Sequence, residues 1–180
     1  MGRTGRAYRV IRANFTDKPT FFSWVRDGKL AASGRPSSKQ QIQWLRENGV
    51  TAILSLTEDP LPKEWTAGME TKHISMKDHA PPSVPEMRLA ADYLSSALSE
   101  GKVVLVHCLA GKGRTGSALA AYMMAYEGKT ARQALEELRS MRGGSVERAQ
   151  EPGVLQFEAE ALKGRSTKAP GRGTKPQSTP

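Results

Sequence analysis

The sequence predicts an α/β domain built on a mainly parallel sheet flanked by helices, and three features carry that prediction. Short apolar runs rich in β-branched residues, VTAILSL at 50–56 and VVLVH at 103–107, alternate with stretches of helical period. The breaks between them are short and marked by turn signals: Asp27-Gly28, Asn48-Gly49, Gly101 and Gly128. The run ending at His107 delivers the only cysteine, Cys108, into a glycine-rich turn that opens a helix, at a strand's carboxyl end.

The elements follow in order. Residues 1–19 read as a basic arm and 20–163 as a single catalytic domain. FSWVRDGKLAAS is a hairpin of two short strands around Asp27-Gly28. Ser37 or Ser38, each three residues before a glutamine, caps a helix carrying Ile42 and Leu45 that stops near Asn48-Gly49. VTAILSL is a buried strand, and METKHISM at 69–76 another with weaker alternation. Ser83 and Pro85 start a helix with Leu89, Tyr93, Leu94, Ala97 and Leu98 on one side. After the cysteine turn comes a helix with Leu119, Tyr122, Met123 and Tyr126 on a shared face, then one opened by the capping box Thr130-Ala131-Arg132-Gln133.

The formal net charge of +9 belongs to the ends. Arg3, Arg6, Arg9 and Arg12 precede the first acid, and Lys163, Arg165, Lys168, Arg172 and Lys175 follow the last, leaving 18 basic and 18 acidic residues between. Residues 164–180, with three prolines and three glycines, are too polar to fold alone and read as a basic, disordered tail. Its expected role is a solubilising tail or a weak electrostatic contact with acidic partners or nucleic acid. No apolar run approaches the ~18 residues of a membrane span. The start lacks a signal-type stretch, and Arg6 stands where myristoylation wants Ser or Thr. One cysteine makes no internal disulfide, and three scattered histidines give no metal-ligand spacing. The expectation is a cytoplasmic monomer with no metal and no cofactor.

Leu109, Ala110, Gly111, Lys112, Gly113 and Arg114 form the turn. A thiol is nucleophilic only as thiolate, and this turn is suited to negative charge. Gly111 and Gly113 allow the backbone to turn its N–H groups inward as an anion nest. The following helix adds its positive end, Lys112 and Arg114 add cationic charge, and the Thr115 hydroxyl is within reach of the sulfur. The same nest binds a dianion such as phosphate, with Arg114 offering a bidentate fork. A nucleophile inside a phosphate cradle implies covalent phosphoryl transfer. A Walker-type nucleotide loop is excluded by spacing, since Gly113 and not Ser or Thr follows Gly111-Lys112.

His107-Cys108-Leu109-Ala110-Gly111-Lys112-Gly113-Arg114-Thr115-Gly116 resembles the HC-x5-R-[ST]-G signature of protein tyrosine phosphatases. A chance match has a frequency on the order of 10⁻⁶ per chain. The resemblance spans roughly residues 20 to 160 and is closest to compact atypical dual-specificity phosphatases. VTAILSLTE, MKDHAPPSVPEM and MRGGSVERAQE resemble segments of those proteins, with Gly143 where a proline is common. It implies Cys108 as nucleophile, Arg114 and the loop amides of residues 109–114 as phosphate ligands, and Asp78 as general acid, with His79 the rival. The glutamine near the attacking water in relatives falls one residue early, at Gln150. The substrate implied is phosphotyrosine, with or without phosphoserine and phosphothreonine, in proteins. The alternatives are a phosphoinositide or RNA 5′ phosphate, which Lys112 favours and Leu109 does not, or an inactive phosphate-binding module.

Overall fold

Five four-residue strands form one sheet in the order β1-β2-β5-β3-β4: β1 Ser23–Arg26, β2 Leu30–Ser33, β3 Ala52–Ser55, β4 Glu70–His73 and β5 Val104–His107. The computed structural model describes residues 17–166, with side chains as far as Ala161. Most of the expected basic arm and tail therefore lies outside the described residues. The hairpin β1–β2 is antiparallel, with an irregularity between Trp24 and Arg26, and the other three pairings are parallel. The sheet is thus mixed but mainly parallel.

The strands are short apolar runs because most of the sheet is covered on both faces. Alternation along each strand sorts its residues between two cores. Leu30, Ala32, Ala52, Leu54, Val104 and Val106 face a large cluster shared with four helices: α2 Val84–Ser99, α3 Gly113–Tyr126, α4 Ala131–Met141 and α5 Glu151–Ser166. Ala31, Ile53 and Leu105 face a smaller cluster with Ile42 and Leu45 of α1, Lys39–Glu47. Edge strand β4 is exposed along its length. Capping is as expected: Ser38 accepts from the Gln41 amide, and both Ser83–Glu86 and Thr130–Gln133 form complete capping boxes.

Three expectations are corrected. Leu89 is 56% exposed, and the buried stripe of α2 is Met87, Ala90, Ala91, Leu94 and Ala97. Leu94 and Ala97 lie in the core and Tyr93 and Leu98 are partly buried against it, so of the expected face only Leu89 is turned away. The face expected on α3 also differs. Leu119 and Met123 are buried, whereas Tyr126 is half-exposed, stacked on Tyr122 and donating its hydroxyl to Asp92. From Gly113 to Ala121 this helix is buried all round, because it is packed among α2, α4 and α5. Finally, α5 is a helix that the sequence pattern does not announce, and it passes the boundary drawn at 163 to reach Ser166. Pro152 stands in its first turn, where proline is tolerated. A Cβ on Gly153 would stand 2.6 Å from the Pro82 carbonyl, so glycine is what lets α5 pass the 77–82 segment.

The register matters for function. β5 lies between β2 and β3 with His107 opposite both Ser33 and Ser55. The chain leaving β5 at Cys108 is therefore flanked by the segments that follow β2 and β3.

Candidate active site

Residues 108–113 turn at the carboxyl end of β5 and enter α3, as the sequence predicts. Their orientation is set from outside the loop. The Cys108 carbonyl accepts from His107 Nδ1 (3.2 Å), and the Leu109 carbonyl accepts from the Arg35 amide (3.0 Å). Arg142 Nη2 donates to the Gly111 carbonyl (2.9 Å), and the amides of Gly116 (2.8 Å) and Val146 (3.3 Å) donate to that of Lys112. In a trans peptide the carbonyl and the next N–H point opposite ways. Each outward-held carbonyl therefore turns the amide of Leu109, Ala110, Lys112 or Gly113 toward the loop's interior. No side chain caps α3 at Lys112, so the positive end of the helix opens onto the same place. The remaining amide, Gly111 N–H, donates to Cys108 Sγ at 3.3 Å.

Glycine is required at Gly111 and closely packed at Gly113. Gly111 has φ +76°, and a Cβ on it would lie 2.5 Å from the Ser33 carbonyl group. A Cβ on Gly113 would lie 2.7 Å from Glu147 Oε2 and 2.8 Å from Gln150 Oε1, so the 147–150 turn closes directly on the loop.

His107 is a fully buried positioning group. Burial, partly offset by its bond to the Cys108 carbonyl, lowers its pKa to about 4. It is therefore neutral, with Nδ1–H donating to that carbonyl and Nε2 accepting from the Ser55 hydroxyl at 2.7 Å. His73 lies apart, its Nε2 2.7 Å from the Thr57 carbonyl.

Arg114 is 1% exposed and meets the loop that carries Asp78 directly. Its Nη2 lies 3.1 Å from Asp78 Oδ1, and its Nη1 donates to Glu58 Oε2 (2.9 Å) and the Met76 carbonyl (3.0 Å). Cys108, Arg114 and Asp78, drawn from two distant loops of the chain, are thus brought to one place. His79 follows Asp78 with φ +52° and an imidazole 80% exposed, its Nε2 3.6 Å from Asp78 Oδ2. Thr115 is buried, but the hydrogen bond expected from it to the sulfur is not formed; its Oγ1 has no partner within the protein. Lys112 stands at the rim, its Nζ 5.6 Å from the Phe21 ring.

Glu58 is a site residue that no sequence motif marks. It accepts from Arg114 and, through Oε1, from the Asp78 amide at 3.0 Å, tying the buried cation to the Asp78 segment. Its own amide, Arg114 and the Asp78 amide hold its pKa down to about 2. A depressed carboxylate contributes stability above its ordinary value, near 4.5, and loses that contribution as pH falls toward 2. Glu58→Gln is thus expected to lower the melting temperature most above pH 4.5, the gap to wild type shrinking toward pH 2. A gap that stays constant across that range in thermal melts would contradict the assignment.

Two patterns mark this part of the molecule as special. Among the described residues, the buried side-chain polar atoms without a partner belong to Arg114, Thr115, Arg142, Ser145 and Gln150, all of which belong to the loop, α3 or the 142–150 turn. Three non-glycine residues with positive φ among the described residues, Phe21, His79 and Val146, also surround it. Strain and unsatisfied polar groups collect where function requires them. Gln150, offset by one position in sequence, is fully buried with its amide against Gly113.

Comparison with known proteins agrees with this geometry. Residues 19–155 match the family model described as PTP-SAK, Swiss Army Knife protein, DSP-PTPase phosphatase domain. The chain is 30% identical over 153 residues to the cow protein tyrosine phosphatase domain-containing protein 1, covering 72% of this chain and 19% of that one. It is 26% identical over 141 residues to the Arabidopsis thaliana phosphatidylglycerophosphate phosphatase PTPMT2, covering 75% and 61%. The match thus spans less than two thirds of either relative. The crystal structure of Tk-PTP in its active form superposes with a TM-score of 0.65 at 30% identity, covering 82% of this chain and 97% of that one. A signature loop held by its surroundings, a fold shared with phosphatases and a family match over most of the described residues lead to one assignment: the chain belongs to the DSP-PTPase phosphatase domain family.

Proposed function

We propose that this chain is a cysteine-dependent phosphomonoesterase acting on phosphotyrosine, with or without phosphoserine and phosphothreonine, in proteins. Cys108 Sγ attacks phosphorus in line, the ester P–O bond breaks, and Asp78 gives its proton to the departing oxygen. Water then attacks the cysteinyl phosphate, giving a proton back to the Asp78 carboxylate; the P–S bond breaks, and inorganic phosphate leaves with the thiolate and the Asp78 acid both restored. The loop amides and Arg114 hold the three non-bridging oxygens, and these preset donors supply most of the stabilisation of a loose transition state. Gln150 orients the attacking water.

The observation that carries this reading is the sharing of Arg114 between cradle and acid. Its Nε has no partner within the protein while its Nη2 is held by Asp78. A phosphate that takes the Nε–Nη2 edge displaces Asp78 from the cation and frees its carboxyl to turn toward the ester oxygen. The rim supports an aryl phosphate. Leu109 (59% exposed) and Phe21 (38% exposed) offer apolar surface, and Glu58 and Asp59 disfavour a highly anionic headgroup.

A second reading, a phospholipid or RNA 5′ phosphate, is favoured by Lys112 at the rim and by similarity to a relative named as a phosphatidylglycerophosphate phosphatase. Turnover of a panel of phosphotyrosine, phosphoserine and phosphothreonine peptides, phosphoinositides, phosphatidylglycerophosphate and 5′-phosphorylated RNA separates the two. The expected order puts phosphotyrosine first. A kcat/KM at least tenfold higher on a lipid or RNA substrate would replace it with the second reading.

A further inference from the structure

Arg142 is a buried cation to which the phosphatase reaction gives no role. It is 2% exposed, and a guanidinium keeps its charge at any ordinary pH. Buried charges are normally matched by an opposite charge, because desolvation is costly. The acceptors of Arg142 among the described residues are instead all neutral. Its Nη1 donates to the Ala32 carbonyl (3.0 Å) and the Ser23 hydroxyl, and its Nη2 to the Gly111 carbonyl (2.9 Å). The Phe21 ring covers the guanidinium at 4.4 Å, with the backbone of Phe21 held at φ +54°. Burial pulls the pKa of Arg142 down to about 10, and Cys108 is the group that pulls it back up.

The Gly111 bond has a direct consequence. Glycine leaves a peptide plane easy to turn over. With the Gly111–Lys112 peptide reversed, a carbonyl would face the cradle and repel an anion. With the carbonyl tied outward, the Lys112 amide faces inward and attracts one. Arg142 spans both sides of this choice, one nitrogen on β1 and β2 and the other on the loop. A lysine cannot bridge two elements with a planar fork in the same way.

We infer that Arg142 is a positioning residue for the anion cradle: it locks the Gly111–Lys112 peptide with its N–H inward, and the anion bound there balances its charge. The inference rests on the phosphatase reading for its place in catalysis, but its primary readout, anion binding, does not depend on turnover.

The test compares wild type, Arg142→Met and Arg142→Lys by calorimetric titration with tungstate, well below each protein's melting temperature. Steady-state kinetics on p-nitrophenyl phosphate and an alkyl phosphate accompany it. Arg142→Met is expected to weaken tungstate binding about 10- to 100-fold, the range for removal of a buried charge-assisted hydrogen bond. KM should rise in parallel, and kcat/KM should fall equally on aryl and alkyl phosphates because no proton transfer is involved. Arg142→Lys keeps the charge and one end of the bridge, so its loss should lie between the other two. A purely structural arginine gives a lower melting temperature with tungstate affinity within twofold of wild type, and that result overturns the inference. Should Arg142→Met fail to fold, Arg142→Lys decides alone: affinity within twofold of wild type overturns the inference, and a loss of about threefold or more upholds it. Arg142-dependent tungstate binding in a wild type that hydrolyses no phosphomonoester would sink the phosphatase reading and leave this one standing.

Discussion

Cys108→Ser is expected to lower turnover of p-nitrophenyl phosphate by about 10⁴-fold or more while leaving the fold and phosphate binding in place. The cradle is built from main-chain amides whose orientation is set by Arg35, Arg142, Val146 and Gly116, none of which depends on the sulfur. Within the loop the sulfur accepts a single hydrogen bond, from Gly111 N–H, and a serine oxygen accepts the same donor in its place. At neutral pH the hydroxyl is neither a comparable nucleophile nor a comparable leaving group from phosphorus, so both halves of the reaction fail together. The measurement pairs single-turnover kinetics in EDTA with calorimetric titration of inorganic phosphate. Residual activity above a few per cent of wild type, or failure of a folded variant to bind phosphate, would mean that Cys108 is not the nucleophile of a backbone-built cradle.

Asp78→Asn is expected to separate substrates by their leaving groups. A general acid contributes about 10²–10⁴-fold where the departing oxygen needs a proton, and far less where it does not. An alkyl phosphate should therefore lose about 10²-fold or more in kcat, and p-nitrophenyl phosphate about tenfold or less. KM should not rise with the loss. Asp78 Oδ1 lies 3.1 Å from Arg114 Nη2 and competes with substrate for that nitrogen, and the neutral amide competes less. A lowered kcat with an unchanged or lowered KM is thus the expected signature. Equal losses on both substrates, or a leaving-group effect that follows His79→Ala instead, would take the acid role from Asp78. The exposure of the His79 ring, against the contact of Asp78 with the buried cation, is why the effect is expected at Asp78.

Much of this molecule is legible in its sequence, because the relevant signals are local. Apolar β-branched runs specify strands buried on both faces, and Ser83–Glu86 and Thr130–Gln133 announce helix starts through hydrogen bonds spanning three residues. Cys108 to Arg114 is a contiguous loop whose glycines, cations and helix start determine anion binding together, so its residues are recognisable without any tertiary contact. What misleads is also local. Leu89 looks like a core residue on a helical wheel, but it lies outside the stripe that packs, Met87, Ala90, Ala91, Leu94 and Ala97. The glycine at position 153 carries no local signal of its purpose, which is the close contact with the Pro82 carbonyl.

Strands, most helices, the cysteine loop and its likeness to a phosphatase signature are all written in the order of residues along the chain. What holds that loop and what faces it come from the folded domain: Arg35 on one carbonyl, Arg142 and Val146 on two others, Glu58 and Asp78 on Arg114, and Gln150 against Gly113. Arg142 shows why. An arginine at the end of a helix carries the local signature of an exposed residue interacting with the helix dipole, and nothing within a few positions says otherwise. Its burial follows from β5 inserting between β2 and β3, which brings residues 23, 32, 111 and 142 together from distant parts of the chain. Hydrophobic period reports which side of an element is covered; the identity of the covering group depends on strand order and register, and these are set by packing of the whole domain.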